Sequence, residues 1–221
     1  MELTIILITC AIIGYLFGSI PNAVLIGKIF FKKDVREYGS KNAGGTNAGR
    51  VFGKKVGLIV IVLDVLKTTL PVYAIFFTLK YSSLSQYNAE DYGFIISSLF
   101  ALIGHCFPIF AKFKGGKAVS SYLAICLQSN WLFTLIGFIF YVSILKWKKY
   151  VSLASIATSI LIALMSIGYS FIPTSFGMIL INNSYYYMAL MVISSIILVA
   201  RHHENIIRLI NHSERKISWL K

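Results

Sequence analysis

Long apolar stretches separated by short, basic, polar segments constrain this chain more than any other feature. A bilayer core about 30 Å thick takes roughly 20 apolar residues per helix, and the hydropathy supports seven spans: Leu3 to Phe30, Val56 to Leu79, Tyr92 to Ala111, Ala118 to Leu127, Trp131 to Leu145, Val151 to Phe171 and Tyr185 to Ala200. The fourth is too short to cross alone. With 57% hydrophobic and only 13% charged residues, the 221-residue chain is too apolar for a water-soluble domain. The expected fold class is all-α, a polytopic integral membrane protein of about seven transmembrane helices. No linker, repeat or shift in composition marks a boundary, so residues 1–221 read as a single domain. Glu2 precedes the first apolar run and Lys28 is the first base, which fits an uncleaved helix better than a signal peptide.

The basic residues set the expected sidedness. Lys32, Lys33, Arg36, Lys41, Arg50, Lys54 and Lys55 follow the first span, Lys112, Lys114 and Lys117 the third, Lys146, Lys148 and Lys149 the fifth, and Arg201, Arg208, Arg215, Lys216 and Lys221 the last. The alternate connections carry only Lys80, Glu90, Asp91 and an uncharged loop from Pro173 to Ser184. Positive loops stay in the cytoplasm, so the N-terminus is expected outside and the C-terminus inside. An odd number of spans is required by this pattern, which argues for the short fourth helix. The net charge of +13 does not point to nucleic acid, because no basic helix or aromatic-interleaved sheet module is present. Anionic membrane lipid is the natural partner of the Lys146 to Lys149 cluster.

Three polar segments on that cytoplasmic side read as chemistry. In GSKNAGGTNAGR, Gly39 to Arg50, glycines let the backbone approach a ligand, Ser40, Asn42, Thr46 and Asn47 offer neutral hydrogen bonds, and Arg50 can clamp phosphate. It is not a Walker loop, since Gly53-Lys54 is followed by Lys55. In GHCFPIFAKFKGGK, His105 stands near a helix end, and Gly115 and Gly116 at a helix start, flanked by Lys114 and Lys117, suggest an anion site. In RHHENIIRL, His202 and Asn205 lie three apart on a helix expected to run out of the last span, and Arg201 and Arg208 share a stripe. A histidine there suits general-base work or carbonyl polarisation, with His203 a competitor.

Other features carry less. Asp64 and Lys67 fall three apart inside the second span, where a structural ion pair and a catalytic role are both open. Gly14 and Gly18 form a GxxxG packing pattern. The Asn182-Asn183-Ser184 sequon is a chance-level match. Cys10, Cys106 and Cys126 lack CxxC spacing and read as small buried hydrophobes. No metal constellation is visible, so no cofactor and no divalent-cation requirement is expected.

GSIP at Gly18 to Pro21 and the three segments together resemble, end to end in order and spacing, the acyl-phosphate-dependent glycerol-3-phosphate acyltransferases, the bacterial PlsY family. That resemblance implies a seven-helix membrane enzyme with its site at the cytoplasmic face. The reaction it implies is transfer of an acyl group from acyl phosphate to the 1-hydroxyl of sn-glycerol 3-phosphate, giving 1-acyl-glycerol 3-phosphate (lysophosphatidic acid) and phosphate in phospholipid biosynthesis. The enzyme that makes acyl phosphate is an implied partner. The family motifs map onto Ser40, Asn42, Thr46, Asn47 and Arg50, then His105, Lys114 and Lys117, then Arg201, His202, Asn205 and Arg208. In this mapping Ser40, His202 and Asn205 are the catalytic candidates; whether His202 or the substrate's phosphate takes the proton stays open. The remaining positions, with Gly115 and Gly116, are candidates for phosphate binding. Lys41, Ala43 and Gly45 stand where Gly, Pro and Ala are usual, and Asn211-His212 where a small residue and Gly are common.

A transporter for a phosphorylated solute is the competing class. Transporters, however, commonly show repeat symmetry and a midplane site, whereas the polar segments here cluster on one side. An acyl-CoA-dependent acyltransferase would need HxxxxD, which neither His105 nor His202 begins.

Overall fold

Ten α-helices and three short 3-10 turns make up the helical structure of this computed structural model, which describes residues 1–172, 175–181 and 183–217. Pro173, Thr174 and Asn182 of the outer loop and sequon, and Lys221 of the tail, lie outside the described residues. Among the described residues there is no strand, only an isolated bridge between Asn130 and Met178. The chain divides into two compact units, residues 1–125 and 126–221, with the boundary inside α6 (Val119–Ser129).

The first unit contains α1 (Glu2–Gly18), α2 (Asn22–Phe31), α3 (Gly45–Phe52), α4 (Lys54–Tyr81), α5 (Glu90–Cys106) and the start of α6. The first expected span is thus two helices. Ser19 and Ile20 donate back to Tyr15 and Phe17, after which Pro21, with no N–H, ends the ladder and caps α2. The GxxxG pattern brings α1 against α5: a Cβ on Gly14 or Gly18 would strike the main chain of Ser97 or Ala101. Its polarity is inverted relative to a water-soluble fold. Ser97, Ser98, Asp64, Lys67, Thr68 and Ser121 are buried, while Ile5, Ile8, Leu58 and Leu70 are exposed, the arrangement a hydrocarbon solvent demands.

The second unit holds the end of α6, then α7 (Trp131–Lys148), α8 (Val151–Ser170), α9 (Ser184–Ala200) and α10 (His203–Ile210). Phe133, Tyr169 and Tyr187 cluster edge-on in its interior. Asn130 caps α7 through Phe133 N at 3.1 Å. The tail returns to place Ile217 against Leu145 and Ala154.

Among the described residues, five stretches are long and apolar enough to cross a membrane: Glu2–Phe31, α4, Glu90–Ala111, α7 and α8. The pair α9 and α10, bent by 60°, makes six if counted as one span. At 11 residues, α6 reaches only about 16 Å, so the fourth expected span is not a full crossing in its own right.

Candidate functional site

The first polar segment is organised from within by Asn47. Only 1% exposed, its Nδ2 lies 2.9, 3.1 and 3.0 Å from the carbonyl oxygens of Val35, Tyr38 and Asn42, and its Oδ1 accepts from Ser40 N at 2.7 Å. The amide of Asn47, expected among the substrate-binding residues, is engaged in shaping the loop. Around it, Ser40 and Asn42 are half-buried and Thr46 and Arg50 are exposed on or beside α3. Asn42 Oδ1 is buried without a hydrogen-bond partner among the described residues. Gly45 and Gly49 let α3 close on Gly57 of α4.

Arg36, which the sequence offered only as one of many loop cations, ties this loop to the second segment. Its Nε and Nη2 grip the Asp34 carboxylate at 2.9 and 2.7 Å, and its Nη1 donates to Ala111 O at 2.8 Å. The Arg36 side chain, with a smaller contribution from Lys28, holds the Asp34 carboxyl down from 3.8 to about 2. A lowered folded value means that this contribution is present above about pH 4 and is lost as pH falls toward 2. It amounts to about 1 to 2 kcal/mol after discounting for solvent. Thermal unfolding in lipid should therefore steepen between pH 4 and 2 in the wild type and stay flatter in Asp34→Asn; equal profiles would contradict the assignment.

In the second segment α5 ends at Cys106, and the chain passes through Ile109–Ala111 and two left-handed residues, Lys112 and Phe113, before the glycines. Gly116 N donates to His105 O at 3.0 Å, and α6 begins only at Val119. This corrects the expectation that both glycines expose N–H groups at a helix start, because the Gly116 N–H is already engaged. Its role is steric: a Cβ there would land on the His105 imidazole, and one on Gly115 would strike His105 O and Pro108. His105 is buried beneath the loop, Lys117 is half-buried and Lys114 is exposed.

The third segment belongs to the second unit. Rather than running straight out of α9, the chain bends at Arg201 and His202, and His202 becomes the N-cap residue of α10. His202 is 3% exposed and its Nδ1 lies 2.8 Å from Leu198 O. In the tautomer that donates Nδ1–H to this carbonyl, Nε2 carries the lone pair. Asn205 is buried on the first turn of α10, whereas His203 is exposed, which separates the two histidines. Arg201 is half-buried.

Glu214 was missed by the sequence reading, although it is the lone acid after Arg208. Its carboxylate accepts from Asn205 Nδ2 at 2.7 Å, Ser152 Oγ at 3.0 Å and Arg208 Nε at 2.8 Å. Burial pushes this carboxyl up, but the bonds from Arg208, Asn205 and Ser152 outweigh it and hold it below its ordinary value. Glu204 adds a longer contact to Arg208 at 3.6 Å. Among the described residues no cluster of three or more His, Cys, Asp or Glu is placed to hold a metal.

The glycerol-3-phosphate acyltransferase family profile matches residues 8–212, taking in all three segments. The chain belongs to this family. It is 36% identical over 218 residues to a glycerol-3-phosphate acyltransferase of Listeria monocytogenes, covering 99% of this chain and all of the relative. With the Staphylococcus haemolyticus enzyme it shares 39% identity over 217 residues, 97% of this chain and 99% of that one. Crystal structures of PlsY (YgiH), an integral membrane glycerol 3-phosphate acyltransferase, are 29% identical. The glycerol 3-phosphate form superposes with a TM-score of 0.77 over 96% of both chains, and the lysophosphatidic acid form with 0.78 over 96% and 95%.

Two departures from the family pattern acquire a physical meaning here. Lys41 and His212, at positions where glycine is usual, adopt left-handed φ of 57° and 53°, costing about 1 kcal/mol each in a non-glycine residue. Lys41→Gly and His212→Gly should each raise stability by about 0.5 to 1 kcal/mol. A loss of thermal stability in either variant would refute this.

Proposed function

We propose that this protein transfers an acyl group from acyl phosphate to the 1-hydroxyl of sn-glycerol 3-phosphate, releasing phosphate and 1-acyl-glycerol 3-phosphate. The observation carrying this reading is the end-to-end family match over residues 8–212. In the proposed arrangement one domain of about seven spans, with the short α6 and its flanking residues counted as the fourth, sits in the bacterial inner membrane, N-terminus outside, with the site at the cytoplasmic face and the acyl chain resting against apolar helices. The enzyme that makes acyl phosphate is the natural partner.

Acyl phosphate is an activated mixed anhydride, so positioning and charge stabilisation suffice and no covalent enzyme intermediate is needed. Arg50, Lys114 and Lys117 hold phosphate groups, and Asn42, Thr46 and Arg201 are further phosphate-binding residues of the same reading. Ser40, whose backbone Asn47 pins, orients the donor. His202 and Asn205 position the acceptor hydroxyl, the proton passing either to the imidazole or to the substrate's own phosphate. Arg208 acts on Asn205 through their shared partner Glu214.

The test is phosphate release from palmitoyl phosphate by the purified protein in lipid and chelator, with and without sn-glycerol 3-phosphate. Acceptor-dependent release with formation of lysophosphatidic acid, reduced about 100-fold or more in Arg50→Ala, is expected. Release that needs magnesium, or an Arg50→Ala variant within about threefold of wild type, would defeat the reading as stated.

A further inference from the structure

Asp64 and Lys67 take no part in the chemistry above, yet they meet at 3.0 Å inside α4 with side chains only 2% and 6% exposed. Apolar residues of similar volume would stabilise a membrane helix at least as well as a buried ion pair. Stability alone therefore does not account for the pair, and its neighbours suggest what does. Lys67 Nζ donates to Ile20 O at 2.6 Å, in the break between α1 and α2. Asp64 Oδ1 accepts from Asn22 Nδ2, at the start of α2, at 3.0 Å, and lies 3.9 Å from His105 Nδ1 at the end of α5. Asp64 Oδ2 is buried with no hydrogen-bond partner among the described residues. Three helix ends thus converge on one carboxylate and one ammonium.

His105 is the link to the second polar segment. Its main-chain oxygen holds Gly116 N at 3.0 Å, and its ring lies where any Gly116 side chain would have to go. The ring thus abuts Gly116 directly, and a tilt toward the loop would press on Gly116 and its flanking lysines.

We propose that Asp64 and Lys67 are positioning residues: together they fix the His105 ring and, through it, the height of the Gly115 to Lys117 segment beneath the acceptor's phosphate. This rests on the assignment of that segment to phosphate in the proposed function. Misplacement by about 1 Å is enough to cost on the order of 100-fold, so a neutral site of the same volume should fold and still bind poorly.

The test compares wild type with the double variant Asp64→Asn/Lys67→Met in lipid, which leaves no lone buried charge. Thermal unfolding, calorimetric binding of sn-glycerol 3-phosphate, and kcat and KM for transfer are measured on both. A melting point near wild type with acceptor binding weakened about tenfold or more, and KM raised by a similar factor against a smaller change in kcat, is expected. A folded double variant with wild-type binding and KM would overturn the proposal. Should the double variant not fold, Asn22→Ala removes one hydrogen bond from a neutral amide to the Asp64 carboxylate without removing a charge; a threefold or greater weakening of binding is predicted, and unchanged binding overturns the proposal. Absence of transfer from palmitoyl phosphate in the wild type would defeat the donor assignment instead, and the binding comparison would still decide the role of the pair.

Discussion

Replacing Asn47 by Asp is expected to lower acyl transfer by about 100-fold or more, the largest effect of any substitution away from the presumed substrate ligands. The side chain is buried, with one face donating to three carbonyl oxygens and the other accepting from Ser40 N. An aspartate is the same shape but turns the donating face into an acceptor, setting oxygen against oxygen at three positions. Each unmet buried group costs about 1 to 3 kcal/mol, more than a short loop can absorb without rearranging. Asn47→Ala removes the repulsion but orphans the same four partners, so its loss should be smaller yet still above about tenfold. Initial-rate kinetics on folded protein check both, and Asn47→Asp retaining more than a tenth of wild-type kcat/KM would remove Asn47 as the organiser of the loop.

Gly116→Ala and Gly115→Ala should both raise the acceptor KM by about tenfold or more, but for different reasons that a second substitution exposes. The added methyl at Gly116 collides with the His105 imidazole, a side chain, whereas at Gly115 it collides with main-chain oxygens of His105 and Cys106 and with Pro108. Combining His105→Ala with Gly116→Ala should therefore recover thermal stability relative to Gly116→Ala alone, a strongly non-additive pair. The same combination with Gly115→Ala should recover nothing. Equal recovery in both series would mean that the loop does not rest on the imidazole.

The helices of the membrane core were readable in advance because hydropathy over twenty residues is a strong local signal: α4 runs Lys54–Tyr81 where Val56 to Leu79 was expected. The break at Pro21 was written in the sequence but overlooked inside a continuous apolar run. For α6 the apolar length was read correctly as short, and 11 residues remain too few to cross alone. The three polar segments that carry Arg50, Lys114, His202 and Asn205 were legible in residue type and spacing, and the roles given to these residues belong to the proposed function. What was not visible was direction. Nothing local distinguishes an Asn47 that faces a ligand from one that faces its own loop, and the partners of Arg36 and Glu214 come from elsewhere, Ala111 and Ser152 lying 75 and 62 residues away. The residues at Lys41 and His212 were recognised as departures from the family pattern, but only the backbone shows that both sit in left-handed conformations.

The bond from Arg36 to Ala111 O also bears on energetics. A ligand that immobilises one loop pays part of the ordering entropy of the other through this tether, so a second ligand arriving there binds more tightly than it would alone. Thermodynamic linkage makes the effect mutual, with each occupant strengthening the other by the same factor. If both loops take ligands as the proposed function has it, a single guanidinium is expected to couple the two recognition events.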